Sequence, residues 1–575
     1  MKNFLIGLIS GFLLAGLVAV IIVFVFVRVA ASFGDRTPVV ADGSTLILKM
    51  EGAIPEKAPT EVPVPFLEDQ APLTLPQSWA LFRKAASDPK IKAIVFEPQG
   101  VAAGWAELEE IHGEMLQFKK SGKPLIAFLR RPGGREFYLA TACDKIYMTP
   151  EDTLDVKGLR VEAMYLKDTL GKFGVKMDVI HAGKYKDAFD MFSKNSMSPE
   201  TKEVLDDILN QYYGDLINTI AAGRKKQPDQ IKALVDQGPF ESAQALSDGL
   251  IDRLAYEDQV GEDLRKQLNQ AELKKVSHKT YIKAGLGDSN GKRIALIVGE
   301  GEIVSGSGDS SFGSDTGIIS GPFIKVLQQV ENDPTIKGAI LRVNSPGGDG
   351  VASDDILHEA QNLSHKKPLV ISMGDLAASG GYFISMTGDP IIAYPNTLTG
   401  SIGVIMGRIN LHGLYDKLNI HVEMLSRGHY ADLDSEYEEL TPDERAKLES
   451  EIEDFYKGFV DRVAKGRKRS FAQIDELGQG RVWLGAQAKE NGLVDELGGL
   501  DRAIEMVKKK ANIPAADAIS LVMFPAKRNL FDLMFSRQDD TANLDAQVKK
   551  VLGFPISVWR KGGFLKMMPY TILVK

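Results

Sequence analysis

The run Asp88-Pro89-Lys90-Ile91-Lys92-Ala93-Ile94 returns as Asp333-Pro334-Thr335-Ile336-Lys337-Gly338-Ala339. Working outward, Lys123-Pro124-Leu125-Ile126 returns as Lys367-Pro368-Leu369-Val370. Further on, Ser247-Asp248-Gly249-Leu250-Ile251-Asp252 returns as Glu490-Asn491-Gly492-Leu493-Val494-Asp495. The offsets are 245, 244 and 243 residues. A register held that closely over such a length marks an internal duplication. One copy spans residues 44–270 and the other 292–512. The polar, glycine-bearing stretch 271–291 reads as the joint, and 513–575 as a C-terminal extension. A Pro-rich loop (55–72) and a Gly/Ser loop (305–314) interrupt corresponding regions of the two copies.

Within each copy, short apolar runs alternate with helical spacing. In the second copy, 294–298 and 338–343 are β-branched, and 323–332 between them has a helical period. Segments 368–373 and 390–393 are further buried-strand candidates. Such alternation specifies an α/β fold with a mainly parallel sheet. Residues 442–467 form a charged helical run with Leu448, Ile452, Phe455, Phe459 and Val463 on one face; its partner is 199–224.

Composition narrows the class. A chain of 575 residues holds three to four units of about 150 residues. With 44% hydrophobic and 25% charged residues it is globular in character. A net charge of -8 offers no basic field to nucleic acid. The single cysteine, Cys143, excludes an internal disulfide and a cysteine-built zinc cluster. Residues 4–27 carry no charge. As a helix rising about 1.5 Å per residue they cross a bilayer. They also exceed the roughly 7–15 apolar residues of a cleaved signal, although Val29-Ala30-Ala31 offers a small-residue cleavage site. We expect residues 1–28 to form a membrane anchor helix, with the short N-terminal tail in the cytosol and the rest exported. Residues 555–575 are aromatic and basic, and read either as a membrane-surface contact or as packing against a neighbouring subunit.

Two glycine-rich turns follow strands in the second copy: Asn344-Ser345-Pro346-Gly347-Gly348 and Ala377-Ala378-Ser379-Gly380-Gly381. Ligands of parallel sheets bind at these carboxyl ends. Ser379 is either a helix N-cap or a hydroxyl presented beside free backbone N–H groups. The first copy aligns Gly133-Gly134-Arg135-Glu136-Phe137-Tyr138 with 377–382, setting Arg135 against Ser379. It aligns Val101-Ala102-Ala103 with Pro346-Gly347-Gly348. The first copy is therefore stripped of the serine and the glycines.

A serine hydroxyl needs a base. Of eight histidines, His429 lies in a polar loop without an orienting acid, and His181 ends a strand and reads as packing. No Gly-x-Ser-x-Gly elbow surrounds Ser379. Lysine is the alternative. Gly183-Lys184-Tyr185-Lys186-Asp187-Ala188-Phe189 aligns with Gly428-His429-Tyr430-Ala431-Asp432, so Lys186 faces Ala431. Serine survives in one copy and lysine in the other, as a dyad shared between two decayed copies requires. A free lysine titrates near 10.4, so a base role needs burial; the other reading of Lys186 is an exposed charge.

At these residues, with Thr397-Leu398-Thr399-Gly400-Ser401-Ile402-Gly403 and Met197-Ser198-Pro199, the chain resembles the signal peptide peptidase A family in its long, duplicated bacterial form. The resemblance implies tandem Clp protease/crotonase-like spiral ββα domains behind a transmembrane helix. It implies Ser379 as nucleophile, Lys186 as general base, Ser401 as the group orienting the lysine, and Gly347 and Gly380 N–H as the oxyanion hole. It further implies no metal or cofactor, peptide substrates left over from signal cleavage, and a homotetramer on the outer face of a bacterial cytoplasmic membrane. Asp349 departs from the small residue expected after Gly348, and its carboxylate threatens the turn that presents Gly347. Two rivals stand beside this reading. A crotonase-like acyl-CoA enzyme would normally use Glu acids and lack an anchor. A non-catalytic membrane scaffold would have no reason to keep both Ser379 and Lys186.

Overall fold

The structure, a computed structural model, describes residues 38–58, 71–286, 291–306, 317–525 and 565–568. The anchor expected at 4–27 lies outside them. Among the described residues no helix is long and apolar enough to cross a membrane.

The apolar runs become the central strands of two sheets. Leu125–Leu129 is buried at all five positions, as a strand covered on both faces must be. The first sheet runs Arg253–Leu254, Lys145–Met148, Leu125–Leu129, Ile91–Val101, Ser44–Gly52, Lys275–Ser277, all parallel. The second repeats that order with Glu496–Leu497, Ile391–Ala393, Leu369–Ala378, Ile336–Ser345, Lys292–Glu300 and Ile519–Phe524. Two expected boundaries are therefore corrected. Lys275–Ser277 completes the first sheet, so the joint proper begins after it and after the helix His278–Lys283. Ile519–Phe524 completes the second, so that half runs well past residue 512.

The two long helices end where their sequences say they should. Pro199–Arg224 is capped by the Ser198 hydroxyl and Pro442–Arg467 by that of Thr441. Both carry proline in the first turn, where its missing N–H is harmless. Both stop at a left-handed lysine, Lys225 or Lys468.

A third sheet joins the halves. Lys176–Ala182 of the first half pairs antiparallel with Val404–Asn410 of the second. Leu565–Met567, from the C-terminal tail, lies between Val404–Asn410 and Gly347–Asp349, antiparallel to both. The described part of the tail thus packs within its own chain, unlike either reading of 555–575 above.

Behind these strands a buried ionic cluster ties the halves together. Arg342, in the strand Ile336–Ser345, donates to Glu56 at 2.8 Å and to Glu110 at 2.7 Å, both from the first half. It also donates to Ser372 Oγ at 3.0 Å and Met373 O at 3.2 Å. Asn344 donates to Glu107 at 3.1 Å. Asp375 accepts the Ala106 N–H at 2.9 Å, so the second half caps a first-half helix. That insertion requires glycine at position 104, where a Cβ would sit 2.0 Å from the Asp375 carboxylate. Burial pushes the Glu56 carboxyl up to about 7 even with Arg342 beside it. Removing one member of a buried pair strands the other, at about 3–5 kcal/mol. We expect Arg342→Met to lower the unfolding free energy by that order, measured by urea unfolding followed by intrinsic tryptophan fluorescence.

Candidate active site

Ser379 is where a ten-residue strand becomes a helix. The strand Leu369–Ala378 ends, and Ser379 takes φ 54° and ψ −114° before Gly380–Ile384 begins. Positive φ is rare for a residue with a Cβ, and clusters at functional sites. The Ser379 N–H donates to Gly400 O at 2.8 Å, and its carbonyl accepts the Phe383 N–H at 2.8 Å. Both bonds hold the turn. The side chain makes no capping hydrogen bond. The N-cap reading of the hydroxyl is thereby set aside.

That hydroxyl instead meets Lys186. Lys186 Nζ lies within hydrogen-bond distance of Ser379 Oγ at 2.9 Å, Ser401 Oγ at 2.9 Å and Ser401 O at 3.0 Å. All three residues are wholly buried. Lys186 follows the strand Lys176–Ala182, while Ser401 follows Leu398–Gly400, the strand beside Leu369–Ala378. Ser401 also has positive φ, 51°, and its N–H donates to Arg481 O at 2.7 Å. The contact between Lys186 and Ser379 therefore spans the two halves of one chain.

Burial holds the Lys186 amine well below the usual lysine range. The neighbouring Asp187 opposes this, since its negative charge would favour the ammonium. Asp187 is itself pushed up to about 7, chiefly by burial, against a hydrogen bond from Thr201 Oγ1. Near neutrality its charge, and so its opposition, is partial.

One segment that sequence reasoning missed closes over the lysine. Gln479 O accepts the Tyr185 N–H at 2.8 Å, and the Gly480 N–H donates to Ile402 O at 2.7 Å. A Cβ at Gly480 would meet the Lys186 backbone N at 2.7 Å. Glycine is what lets this strand of backbone lie on the lysine. Arg481 covers the outside, donating to Tyr185 Oη at 3.1 Å and Asp207 at 2.9 Å and pairing with Glu203. The glycines bracketing Gln479 were the available signal.

The turn before Gly347 faces Ser379 from the next strand. A Cβ on Gly380 would approach Gly347 Cα to 3.0 Å. The two glycines expected to act together are thus in close contact. The Gly347 N–H points to Ser345 Oγ at 3.2 Å, a long bond. Gly380 opens a helix, where an N–H has no intrahelical acceptor. Asp349 does not disturb the turn: its carboxylate caps the next helix, accepting the Ala352 N–H at 2.7 Å. The tail crosses this turn, with Met568 N–H donating to Pro346 O at 2.8 Å. Met567 joins a buried cluster with Ala188, Phe189, Phe192 and Ile405.

One alignment and two residue readings made from sequence change. By helix register Gly133, not Arg135, holds the position of Ser379, because Gly133 O and Ser379 O each accept the first helical N–H. The first half still lacks a hydroxyl there. His181 is exposed rather than packed, since it falls on the outward face of its strand. His429 is exposed too, and binds Asp443 at 2.7 Å.

Comparison with known proteins agrees with this architecture. The profile of peptidase family S49 matches residues 117–271 and 361–514, once in each half. The chain is 34% identical over 522 residues to "Serine protease SPPA, chloroplastic" of Arabidopsis thaliana, covering 89% of this chain and 76% of that one. It is 33% identical over 448 residues to "Protease 4" of Haemophilus influenzae, covering 75% and 72%. Similarity to "Protease 4" of Salmonella typhi is 33% over 447 residues, covering 75% and 71%. Two family matches that together take in more than half the sequence, and relatives aligned along most of it, establish that the chain belongs to peptidase family S49 and is a serine protease.

Proposed function

We propose that Ser379 and Lys186 are the catalytic dyad of an endopeptidase that acts on extended, apolar peptides such as cleaved signal peptides. The observation that carries this is the 2.9 Å contact between a buried amine and a buried hydroxyl that makes no other use of its position. Kept neutral by burial, Lys186 takes the proton of Ser379 Oγ as the oxygen attacks a peptide carbonyl. The carbonyl oxygen becomes an anion, held by the N–H groups of Gly347 and Gly380, with Gly347 releasing Ser345 Oγ. The lysine ammonium then protonates the leaving amine, and an ester to Ser379 remains. Water, deprotonated by the same lysine, hydrolyses the ester and returns the serine. Ser401 fixes the amine through its carbonyl and hydroxyl. None of these steps calls for a metal or cofactor.

The tail supports an extended substrate. Leu565–Met567 already occupies a slot between two strands, as a peptide adding by backbone pairing would. The apolar cluster around Met567 suits a leucine-like side chain. We further propose that residues 4–27 anchor the chain in a bacterial cytoplasmic membrane, with the protease outside and assembled as a homotetramer.

Ser379→Ala and Lys186→Ala are each expected to lower kcat/KM on a short Leu-rich peptide by ~10⁴-fold or more. Undiminished cleavage by either variant defeats the dyad. Ser401→Ala should keep a measurable rate, reduced by roughly tenfold. The pH profile tests the base. Activity should rise with pH as Lys186 loses its proton. In Asp187→Asn the charge that favours the ammonium is gone, so the rising limb should move to lower pH. A limb that stays in place removes Asp187 from this role.

A further inference from the structure

Residues 479–481 form a short bridge between the two segments that carry the lysine and its holder. On one side, Gln479 O accepts the N–H of Tyr185, the residue before Lys186, at 2.8 Å. On the other, Arg481 O accepts the Ser401 N–H and Ile402 O accepts the Gly480 N–H, each at 2.7 Å. The bridge is sharply bent: Gln479 and Gly480 have φ 53° and 77° in succession. A left-handed residue with a side chain persists only where its surroundings over-determine it. The Arg481 side chain supplies that hold. Its Cζ lies 5.1 Å from the centroid of the Tyr185 ring and 4.5 Å from that of Trp483. Its guanidinium donates to Tyr185 Oη at 3.1 Å and Asp207 at 2.9 Å, and pairs with Glu203. Tyr185 Oη in turn donates to Glu203 at 3.2 Å. Glu203 and Asp207 lie one turn apart on the first-half helix Pro199–Arg224. One residue thus grips Ser401 with its carbonyl and the lysine loop with its side chain.

The copies differ here as they differ at Ser379. The helix Ser242–Ser247 corresponds to Gly485–Glu490, an offset of 243 residues. The same offset sets Gly238 against Arg481. The first copy, without the serine, has no side chain at that position. We infer that Arg481 is a positioning residue for the hydrolysis: it clamps the loop of Lys186 to the segment of Ser401, which holds the amine on Ser379 and keeps water from it. The inference rests on the dyad proposed above. Arginine suits the task because its planar fork stacks between two rings while donating to several acceptors, which a single ammonium does not do. With its side chain 14% exposed and bound to the first half, the guanidinium serves the loop and not a substrate.

Two measurements separate the clamp from the dyad. Hydrogen exchange by mass spectrometry, without substrate, reads the clamp alone. In Arg481→Lys, and in Glu203→Gln combined with Asp207→Asn, the peptides holding Tyr185 and Ser401 should exchange about tenfold faster, with the core strand Leu125–Leu129 unchanged. The double variant alters only half-exposed carboxylates and is expected to fold. Unchanged exchange in either folded variant overturns the clamp, whatever happens to activity. The pH profile of kcat/KM on a Leu-rich peptide then reads the amine. Water let in beside Lys186 favours its ammonium. In Arg481→Lys the rising limb should therefore move to higher pH by about one unit, about tenfold in neutral amine on that limb. KM should stay within about twofold. This variant keeps the positive charge, and Asp187 beside the amine and Glu203 and Asp207 beyond Tyr185 are untouched, so the movement reads water and not field. A limb that stays in place in folded Arg481→Lys overturns the positioning role, since a loss of stability alone lowers the rate without moving the limb. Faster exchange beside an active Lys186→Ala variant overturns the dyad, and with it this role, and leaves the clamp standing.

Discussion

An amine buried beside hydroxyl and carbonyl oxygens, with no carboxylate hydrogen-bonded to it among the described residues, governs this structure. Moving a charged ammonium out of water is prohibitive, so such a group survives by staying neutral. Hydroxyl and carbonyl oxygens suit a neutral amine, and Lys186 has serine oxygens around it. The requirement to keep water away then reaches outward. Gly480 lies on the lysine backbone, Arg481 roofs the loop, and the two halves must close for the serine to arrive at all. A site divided between two sheets is only as well placed as the joint between them. The Arg342 cluster and the Asp375 cap across the halves are what fix that joint.

The duplication has left the copies complementary rather than alike. The second half keeps the strained serine and the glycine turn; the first keeps the lysine. The same division appears in their helix caps. Asp349 caps its own helix, whereas the equivalent Gly104 leaves room for Asp375 from the other half. Each copy has become part of the other's structure, so neither is a spare.

Much of this was legible because it is periodic or asymmetric. Apolar runs marked the strands, helical spacing marked the long helices, and comparing the copies singled out Ser379 and Lys186. What escaped was short or distant. Lys275–Ser277 is three residues with one apolar side chain, too little pattern to read. The third sheet pairs Lys176 with Asn410, a contact between far-separated residues that no local pattern encodes. The loop at Gly480 acts through backbone, which leaves only its glycines in the sequence. Arg135 was set against Ser379 by a register two residues off, since two adjacent glycines allow either alignment.

The tail strand has a consequence for kinetics. A segment of the same chain competes intramolecularly, so its effective concentration does not fall on dilution. A peptide adding to the edge at Gly347–Asp349 would have to displace it. The threshold for entry is then set by exchange of one strand for another. Scarce or weakly pairing chains would be turned away, and more free extended peptide would be needed to half-fill the edge, with the saturation curve shifted but no steeper.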